Sequence, residues 1–507
     1  MLKGHGVRRA AEDPHMREGS ERIASRVKAR RSSRLLPRKG TCVHDSPANP
    51  TIHILPEDKS VYGRTTSFCA SAELARTRSI SWHGLRLPFI PALIGFCLMP
   101  ASIDCQRAAE DLPFPGTMVT ETNSSAKAIA LDSRGLTLST PDASSQVRVH
   151  GYLQADGRFF DTNLQGGQSS VLLFRRVRPL VEGTFANRFD FRLMPDFGEG
   201  NTVIQEAYAE TQIGPTAGLR IGKFKSPIGL EVLRSDRDLT FPERSLASDL
   251  VPIRDLGAEL DFSLFRSTAT CELGYFSSAL DGENANFEWR GDGEGVARFF
   301  FQPLAAAGSQ SLGAGIAYSE GHRQNSLSDM KTVGQAAFFQ FNPSVFADGP
   351  RRHISPQGYY FYKSLGLMAE YVISDQAVAA NSTHRSLSNR GWEISSSLIL
   401  TGEKNSYEGV QPAHSFEPAA GPRHFGAWEI AFRHSAVRVD PNSFPHFASP
   451  VASAQRASES AVEVNWYINR HTKLLADYEY TAFRMYADTV PRLFPERVVI
   501  PRIQLEF

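Results

Sequence analysis

The stretch Gln146-Val-Arg-Val-His-Gly-Tyr-Leu-Gln-Ala-Asp-Gly-Arg-Phe-Phe160 alternates between apolar and polar side chains along most of its length. Successive side chains of a β-strand point to opposite faces. The stretch therefore predicts a strand with one apolar face and one strongly polar face. The polar face carries Arg148, His150, Tyr152, Gln154, Asp156 and Arg158.

The same period of two returns near the C-terminus, in residues 461–468 and 473–481 and around Trp428. Soluble β-sandwiches alternate in the same way, so alternation alone does not decide between a sandwich and a membrane barrel. The lengths of the connections favour the barrel. Asn469–Thr472 is a short turn and Phe483–Arg497 a long polar loop, and membrane barrels have short turns at one end and long loops at the other.

Aromatic residues and the chain end point the same way. Tyr359-Tyr-Phe-Tyr362 suits an interfacial girdle, although such residues also fit an ordinary β core. The last residues, 501–507, alternate and stop on Phe507, an ending that resembles the signal read by the bacterial outer-membrane assembly machinery. Since a barrel strand needs ~9–11 residues, residues 146–507 accommodate roughly 16 strands. We expect an all-β, transmembrane antiparallel barrel of about that size.

Charge divides the chain. Residues 1–110 hold 18 Lys/Arg and 10 Asp/Glu, a net charge of +8, whereas the whole chain has a net charge of +1, which leaves −7 for residues 111–507. Arg86 precedes the apolar run Leu87–Ala101, a pattern typical of a signal peptide and too short to span a bilayer. We expect an over-called or disordered basic extension at 1–83, with no nucleic acid bound. A signal peptide-like segment at 84–109 and a periplasmic lead-in at 110–145 follow it.

Several motifs resemble the phosphate-selective porin O and P family over roughly residues 130–507. They include Gly151–Asp156, Leu219–Glu231, Phe241–Leu246 and Val251–Gly257. The resemblance implies a trimeric porin of the bacterial outer membrane with a loop folded into the lumen. It implies that inorganic phosphate or other small anions, outer-membrane lipid and, through Phe507, the assembly machinery are its partners.

The resemblance also implies an anion site. The residues that match the family's site are an early pair, Arg175 and Arg176, then Ser235, Arg237 and Arg244 in the loop, and finally Lys473. Guanidinium groups can replace the hydration of a phosphate dianion with bidentate hydrogen bonds. Lys473 shares its parity with Asp477 and should face the lumen.

Neighbouring strand residues point to opposite faces, so the two early arginines can both face the lumen only at a bulge or a strand end. Other roles stay open for these residues. The early pair could lie at the rim or at a subunit contact, Arg244 could pair with Asp238 or Glu243, and Lys473 could pair with Asp477.

Three features weaken the expectation of phosphate selectivity. The barrel region is net negative, residues 318–341 offer only His322, Arg323 and Lys331 as basic residues, and Gln205 replaces an acidic residue of the family's site. The alternatives are a general or oligosaccharide-type porin and a non-conducting adhesive or structural barrel.

The sequence contains no nucleotide-binding, phosphate-loop or zinc-protease motif, so we expect neither a cofactor nor a resident metal. The acidic tracts at 281–288 and 291–294 are read as solvated external loops. The scattered histidines suggest no Ser/His pair, and hence no enzyme.

Overall fold

The computed structural model describes residues 128–507 except 162–168, 286–288, 290, 305–308, 422–423 and 490–492. The expected N-terminal extension, the signal peptide-like segment and the lead-in up to residue 127 lie outside the described residues. The described chain opens with a hairpin of β1 (Ile129–Asp132) and β2 (Gly135–Ser139), and β2 pairs with the start of the next strand.

Sixteen antiparallel strands of the described region then form a closed ring. Their bounds are β3 (Gln146–Phe160), β4 (Val171–Phe185), β5 (Phe189–Asp196), β6 (Val203–Gly214), β7 (Ala217–Phe224), β8 (Asp255–Leu264), β9 (Ala269–Phe276), β10 (Gly293–Leu304), β11 (Gln310–Asn325), β14 (Val345–Tyr362), β15 (Leu365–Ala380), β16 (Thr383–Ile399), β17 (Ala427–Arg438), β18 (Arg456–Asn469), β19 (Thr472–Arg484) and β20 (Glu496–Glu506). A small hairpin, β12 (Met330–Lys331) and β13 (Ala337–Phe339), lies between β11 and β14. The predicted barrel and its strand number are confirmed.

Closure occurs where β20 pairs with β3. Phe507 and Gly151 exchange two backbone hydrogen bonds, of 2.8 and 3.0 Å. A Cβ at position 151 would lie 2.7 Å from the Arg178 carbonyl oxygen and 2.9 Å from the Phe507 ring, so only glycine fits there. The last residue of the chain is thus part of the closing seam.

The burial of the barrel wall is inverted relative to a soluble protein. On β18, Glu463 is 0% exposed whereas the neighbouring Val462 is 42% exposed. The same division runs around the ring, with polar side chains inside and aliphatic and aromatic ones outside. Such a wall suits a hydrocarbon surrounding and a polar lumen.

Connections at the Phe507 end are mostly tight turns, namely 186–188, 215–216, 265–268, 363–364 and 470–471. The opposite end carries longer loops, including 225–254, 277–292, 326–344, 439–455 and 485–495. Two connections break the rule: 381–382 is short at the long-loop end, and 400–426 is long at the short-turn end. In the described part of the chain, no helix has the length and apolarity needed to cross a bilayer.

Candidate functional site: an arginine cluster at the lumen loop

The loop between β7 and β8, residues 225–254, is here called the lumen loop. Side chains from five distant strands donate hydrogen bonds to its carbonyl oxygens. These donors are Gln154 on β3 (3.2 Å), Arg433 on β17 (2.8 Å), Asn465 on β18 (3.1 Å), Lys473 on β19 (2.8 Å) and Arg502 on β20 (2.6 Å). All five lie on the polar faces of their strands. We infer that the loop crosses the interior of the ring.

Apolar residues and one glutamate hold the near half of the lumen loop. A short helix, Leu230–Leu233, begins with two backbone N–H groups that donate to Glu370 on β15, at 2.9 and 3.3 Å. Ile228, Leu230 and Leu246 are fully or almost fully buried. The loop is therefore an anchored element with its own core contacts.

Glu243 of the lumen loop lies among four guanidinium groups. Its carboxylate is 2.6 Å from Arg175 and 3.1 Å from Arg176, with Arg502 at 3.3 Å and Arg158 at 3.6 Å. Four arginines around one carboxylate form a pocket with the chemistry of an anion site, which the protein's own glutamate occupies.

Asp236 of the same loop has a similar surrounding. It contacts Arg178 and lies 2.7 Å from Arg244, 3.2 Å from Arg254 and 4.0 Å from Arg176. The seven arginines around the two carboxylates are here called the arginine cluster: Arg158, Arg175, Arg176, Arg178, Arg244, Arg254 and Arg502. The barrel wall supplies five of them, and the lumen loop supplies Arg244 and Arg254.

The electrostatics of the two loop carboxylates follow from this geometry. Burial alone would raise the pKa of Asp236, but Arg244, Arg178 and their neighbours hold it well below its ordinary value. Burial opposes ionisation of Glu243 too, and Arg175 and Arg176 outweigh it, so that its pKa also lies well below the ordinary value. Both groups are therefore anions at neutral pH.

The early arginine pair occupies a β-bulge, as its sequence required. Gln154 pairs with Arg176 and Ala155 pairs with Phe174, so Arg175 is the extra residue. The bulge lets both side chains reach Glu243. Arg176 is 2% exposed and also donates to Gln154 at 2.7 Å, whereas the side chain of Arg175 is 18% exposed.

Arg244 and Lys473 differ from the alternatives considered for them. Arg244 pairs with Asp236, not with Asp238 or Glu243. Lys473 faces the interior, as its parity predicted, and donates to the Leu239 carbonyl oxygen; within the described residues it forms no ion pair with Asp477. Both residues contact the lumen loop.

Ser235 and Arg237 lie in the lumen loop but outside the arginine cluster. The Arg237 side chain is 42% exposed, 3.4 Å from Asp238 and 3.9 Å from Glu506. It lines a small cavity together with Lys473, Gln504 and Gly409. Ser235 is half-buried, and its carbonyl oxygen accepts a hydrogen bond from Asp238.

Sequence reasoning missed four arginines of the cluster and the role of both carboxylates. Arg158 and Arg178 share the polar parity of Gln154 and Arg176, so strand alternation could have identified them. Arg502 lies in the alternating C-terminal strand and Arg254 in the motif Val251–Gly257. Nothing in the sequence indicates that Asp236 and Glu243 bring these arginines together.

The opposite side of the lumen is acidic. Six carboxyl groups of β16–β19 point inward and are almost fully buried: Glu393, Glu429, Glu459, Glu463, Asp477 and Glu479. We call these six residues the acidic wall. Arg433 pairs with Glu459 at 2.8 Å and with Glu479 at 3.0 Å. In the described part of the chain, no group of three or more potential ligands is arranged to hold a metal ion.

Two expectations about loops and histidines were wrong. Asp281 and Glu294 are not solvated; Arg351 and His353 pair with both, because these basic residues share the inner face of β14 beside them. A Ser/His pair does exist, since the Ser319 hydroxyl lies 2.8 Å from His353 Nδ1 on neighbouring strands. Both residues are fully buried, so the contact fastens loop 277–292 to the wall and is closed to a substrate.

Gln205, which replaces an expected acidic residue, is buried and donates to Asp196 at 3.4 Å. Asp196 in turn binds Arg178 at 2.6 Å. An acidic side chain is therefore still beside the cluster, supplied by β5.

Residues 147–484 match the family model described as "Phosphate-selective porin O and P". The chain belongs to that family. Porin O of Pseudomonas aeruginosa is 24% identical over 404 residues, with 72% of this chain and 89% of the relative covered. The protein is thus a porin of the bacterial outer membrane, and its family implies a channel.

Solved porins and channels are similar in fold. The outer membrane channel DcaP of Acinetobacter baumannii matches with a TM-score of 0.48 and 9% identity, covering 73% of this chain and 99% of its own. An anion-selective porin from Comamonas acidovorans matches with a TM-score of 0.46 and 10% identity, covering 72% of this chain and 100% of its own.

Proposed function

We propose that this porin is a passive diffusion channel for small anions, with phosphate or polyphosphate as the preferred class, and that the arginine cluster is its selective constriction. The observation that carries the proposal is the convergence of seven guanidinium groups on two carboxylates of the lumen loop. Family membership supports the same solute class.

Glu243 and Asp236 take the positions that the oxygens of a bound anion would need. A phosphate oxygen can accept the same charge-assisted hydrogen bonds as a carboxylate oxygen. A permeating anion would therefore exchange with these carboxylates, first at the partly exposed Arg175. Exchange keeps binding moderate, and conduction requires that the anion can also leave.

The remaining predicted residues fit a second step towards the short-turn end. Arg237, Lys473 and Arg470 line one cavity beside the lumen loop. An anion released from the arginine cluster would meet these cations next, with Ser235 close to Arg237 in the chain. Short turns face the periplasm in barrels of this kind, so this cavity would be the exit.

The proposal includes an assembly state and a route. We propose a homotrimer inserted in outer-membrane lipid by the assembly machinery, which would recognise the C-terminal strand that ends at Phe507. The pairing of Phe507 with Gly151 supports this, because the residue forms part of the seam that must close last.

The runner-up function is a general or oligosaccharide-type porin. The acidic wall favours it, since the buried carboxyl groups of β16–β19 outnumber the cations beside them. A lumen with one basic and one acidic side could pass ions of both signs.

A phosphate titration distinguishes the two functions. Chloride current through the protein in planar bilayers would be recorded for the wild type, Arg175→Ala and Arg352→Ala. Arg352 is the matched control, because it is an exposed arginine on the outward face of β14. The anion channel predicts that phosphate inhibits the chloride current of the wild type and of Arg352→Ala, and inhibits Arg175→Ala only weakly. Equal inhibition of all three, or none, would contradict it.

A further inference from the structure

Four arginines form a row across neighbouring strands at the long-loop end of the barrel. Arg390 on β16 pairs in register with Arg438 on β17, Arg438 pairs with Arg456 on β18, and Arg456 pairs with Arg484 on β19. Adjacent strands are ~4.8 Å apart, so the row extends about 14 Å around the barrel. These four residues are here called the arginine row.

The arginine row faces outward and away from the lumen. All four side chains are exposed, and their chain neighbours Asn389, Val437, Ala457 and Phe483 have the opposite parity, that of the inner face. Within the described residues, none of the four forms an ion pair. Arg456 donates to Ser458 on its own strand at 3.0 Å.

Like charges directly opposite each other on neighbouring strands are destabilising. Here three successive in-register pairs are all Arg–Arg. Such a row is stable when an anion lies between the guanidinium groups, and a phosphate group can bridge two of them through bidentate hydrogen bonds. The row therefore has the chemistry of a surface that binds several phosphates.

The neighbouring residues place the row at the membrane boundary. On the outward face, two residues along β16 from Arg390, lies Trp392, whose ring contacts His434 edge-on at 5.2 Å. Further towards the short-turn end the outward residues are Ile394, Phe432, Val462 and Tyr478, all exposed. Tryptophan and tyrosine mark the headgroup level of a bilayer, so the row lies at that level or just outside it.

We propose that the arginine row binds the phosphate groups of an anionic, phosphorylated glycolipid of the outer leaflet. Charge complementarity carries the choice of occupant, because guanidinium groups stand at headgroup level above a surface suited to acyl chains. The long-loop end is the extracellular one in outer-membrane barrels, which selects the outer leaflet. The proposal stands on outer-membrane location alone and is independent of the solute that passes through the lumen.

The test measures binding of bisphosphorylated lipid A to the detergent-purified protein by native mass spectrometry. The variant is Arg438→Gln/Arg456→Gln, and the matched control is Arg188→Gln/Arg266→Gln, two exposed arginines in turns at the opposite end. We expect the row variant to bind the lipid about thirtyfold more weakly than the wild type, and the control to bind it like the wild type. Equal binding by all three would overturn the proposal.

Two further arms separate other sources of the effect. Inorganic phosphate alone should not compete at concentrations that match the lipid, and effective competition would show a free-anion site instead of a lipid site. The oligomeric state is read from the same spectra. If the row variant loses its trimer and its monomer still binds lipid A normally, the row is a subunit contact and the proposal fails. Channel conductance of the row variant checks that it has folded.

Discussion

At the scale of single residues, the central feature is that two loop carboxylates hold the place of a bound anion. Glu243 contacts four arginines and Asp236 contacts four, with Arg176 shared between them. A salt bridge buried in this way contributes less to stability than its Coulomb energy suggests, because both ions lose hydration. Its value to a channel is a set of guanidinium groups fixed in position before the solute arrives.

Glu243→Gln should strengthen phosphate binding. The substitution keeps the size of the side chain and removes the charge that competes with the solute for Arg158, Arg175, Arg176 and Arg502. We expect the phosphate concentration that halves the chloride current to fall at least about tenfold, since one charge-assisted contact is no longer exchanged. Glu320→Gln, on the exposed outward face of β11, is the control. An unchanged half-inhibiting concentration would show that Glu243 and the solute do not compete.

The same two carboxylates predict how the lumen loop responds to acid. Because their folded-state pKa values lie below the ordinary values, their contribution to stability is complete above about pH 4. It is lost only as the pH falls further, through the depressed values. Hydrogen-exchange protection of residues 236–243, corrected for intrinsic rates, should therefore be equal at pH 7 and pH 5. A loss of protection between these two values would contradict the assignment.

At the scale of elements, the lumen loop is fastened from the short-turn end by segment 400–426. The Tyr407 hydroxyl donates to the Leu230 carbonyl oxygen at 2.6 Å, and Arg234 donates to the Tyr407 carbonyl oxygen at 2.9 Å. The Tyr407 ring also stacks on Tyr359 of the wall, with centroids 5.3 Å apart. The one long connection at this end thus has an inner arm that supports the constriction.

Tyr407→Phe should loosen that support. The loss of one hydrogen bond, worth about 1 kcal/mol, would raise the population of displaced loop conformations about fivefold. Single-channel recordings should show more frequent current fluctuations with an unchanged mean conductance of the main level. Tyr362→Phe, on the exposed outward face of β14, serves as the comparison and should be silent. Quiet recordings from Tyr407→Phe would mean that the loop needs no support from segment 400–426.

Sequence patterns predicted the wall better than the loop. Alternation in Gln146–Phe160 and the adjacent Arg175 and Arg176 were enough to foresee an inward polar face and a bulge, because both follow from backbone geometry. The contacts of Asp236, Glu243 and Tyr407 could not be foreseen in that way. They depend on where an irregular segment comes to rest across the barrel, and no local period records that.

At the scale of the whole molecule, charge is separated across the lumen. The arginine cluster lies on the side of β3, β4 and β20, and the acidic wall lies on β16–β19. The sequence showed a net charge of −7 for residues 111–507 but not its distribution. A net-negative barrel can favour anions only if the solute path follows the basic side.

Glu463→Gln/Asp477→Asn tests whether the acidic wall opposes anion flow. The two residues pair in register across β18 and β19, and none of their carboxylate oxygens has a hydrogen-bond partner. Removing both charges should shift the reversal potential towards that of chloride and leave phosphate inhibition unchanged. Asp375→Asn, on the outward face of β15, controls for the loss of charge. A change in phosphate inhibition would place the solute on the acidic side instead.

The central claim is that the lumen selects anions through fixed arginines, and the reversal potential of the wild-type channel under a steep KCl gradient tests it most directly. The measurement needs no variant and reports the sign of the selected ion. We expect a reversal potential close to the chloride equilibrium potential, with a chloride current that falls as phosphate is added. A reversal potential close to that of potassium would show that the acidic wall, and not the arginine cluster, sets the selectivity.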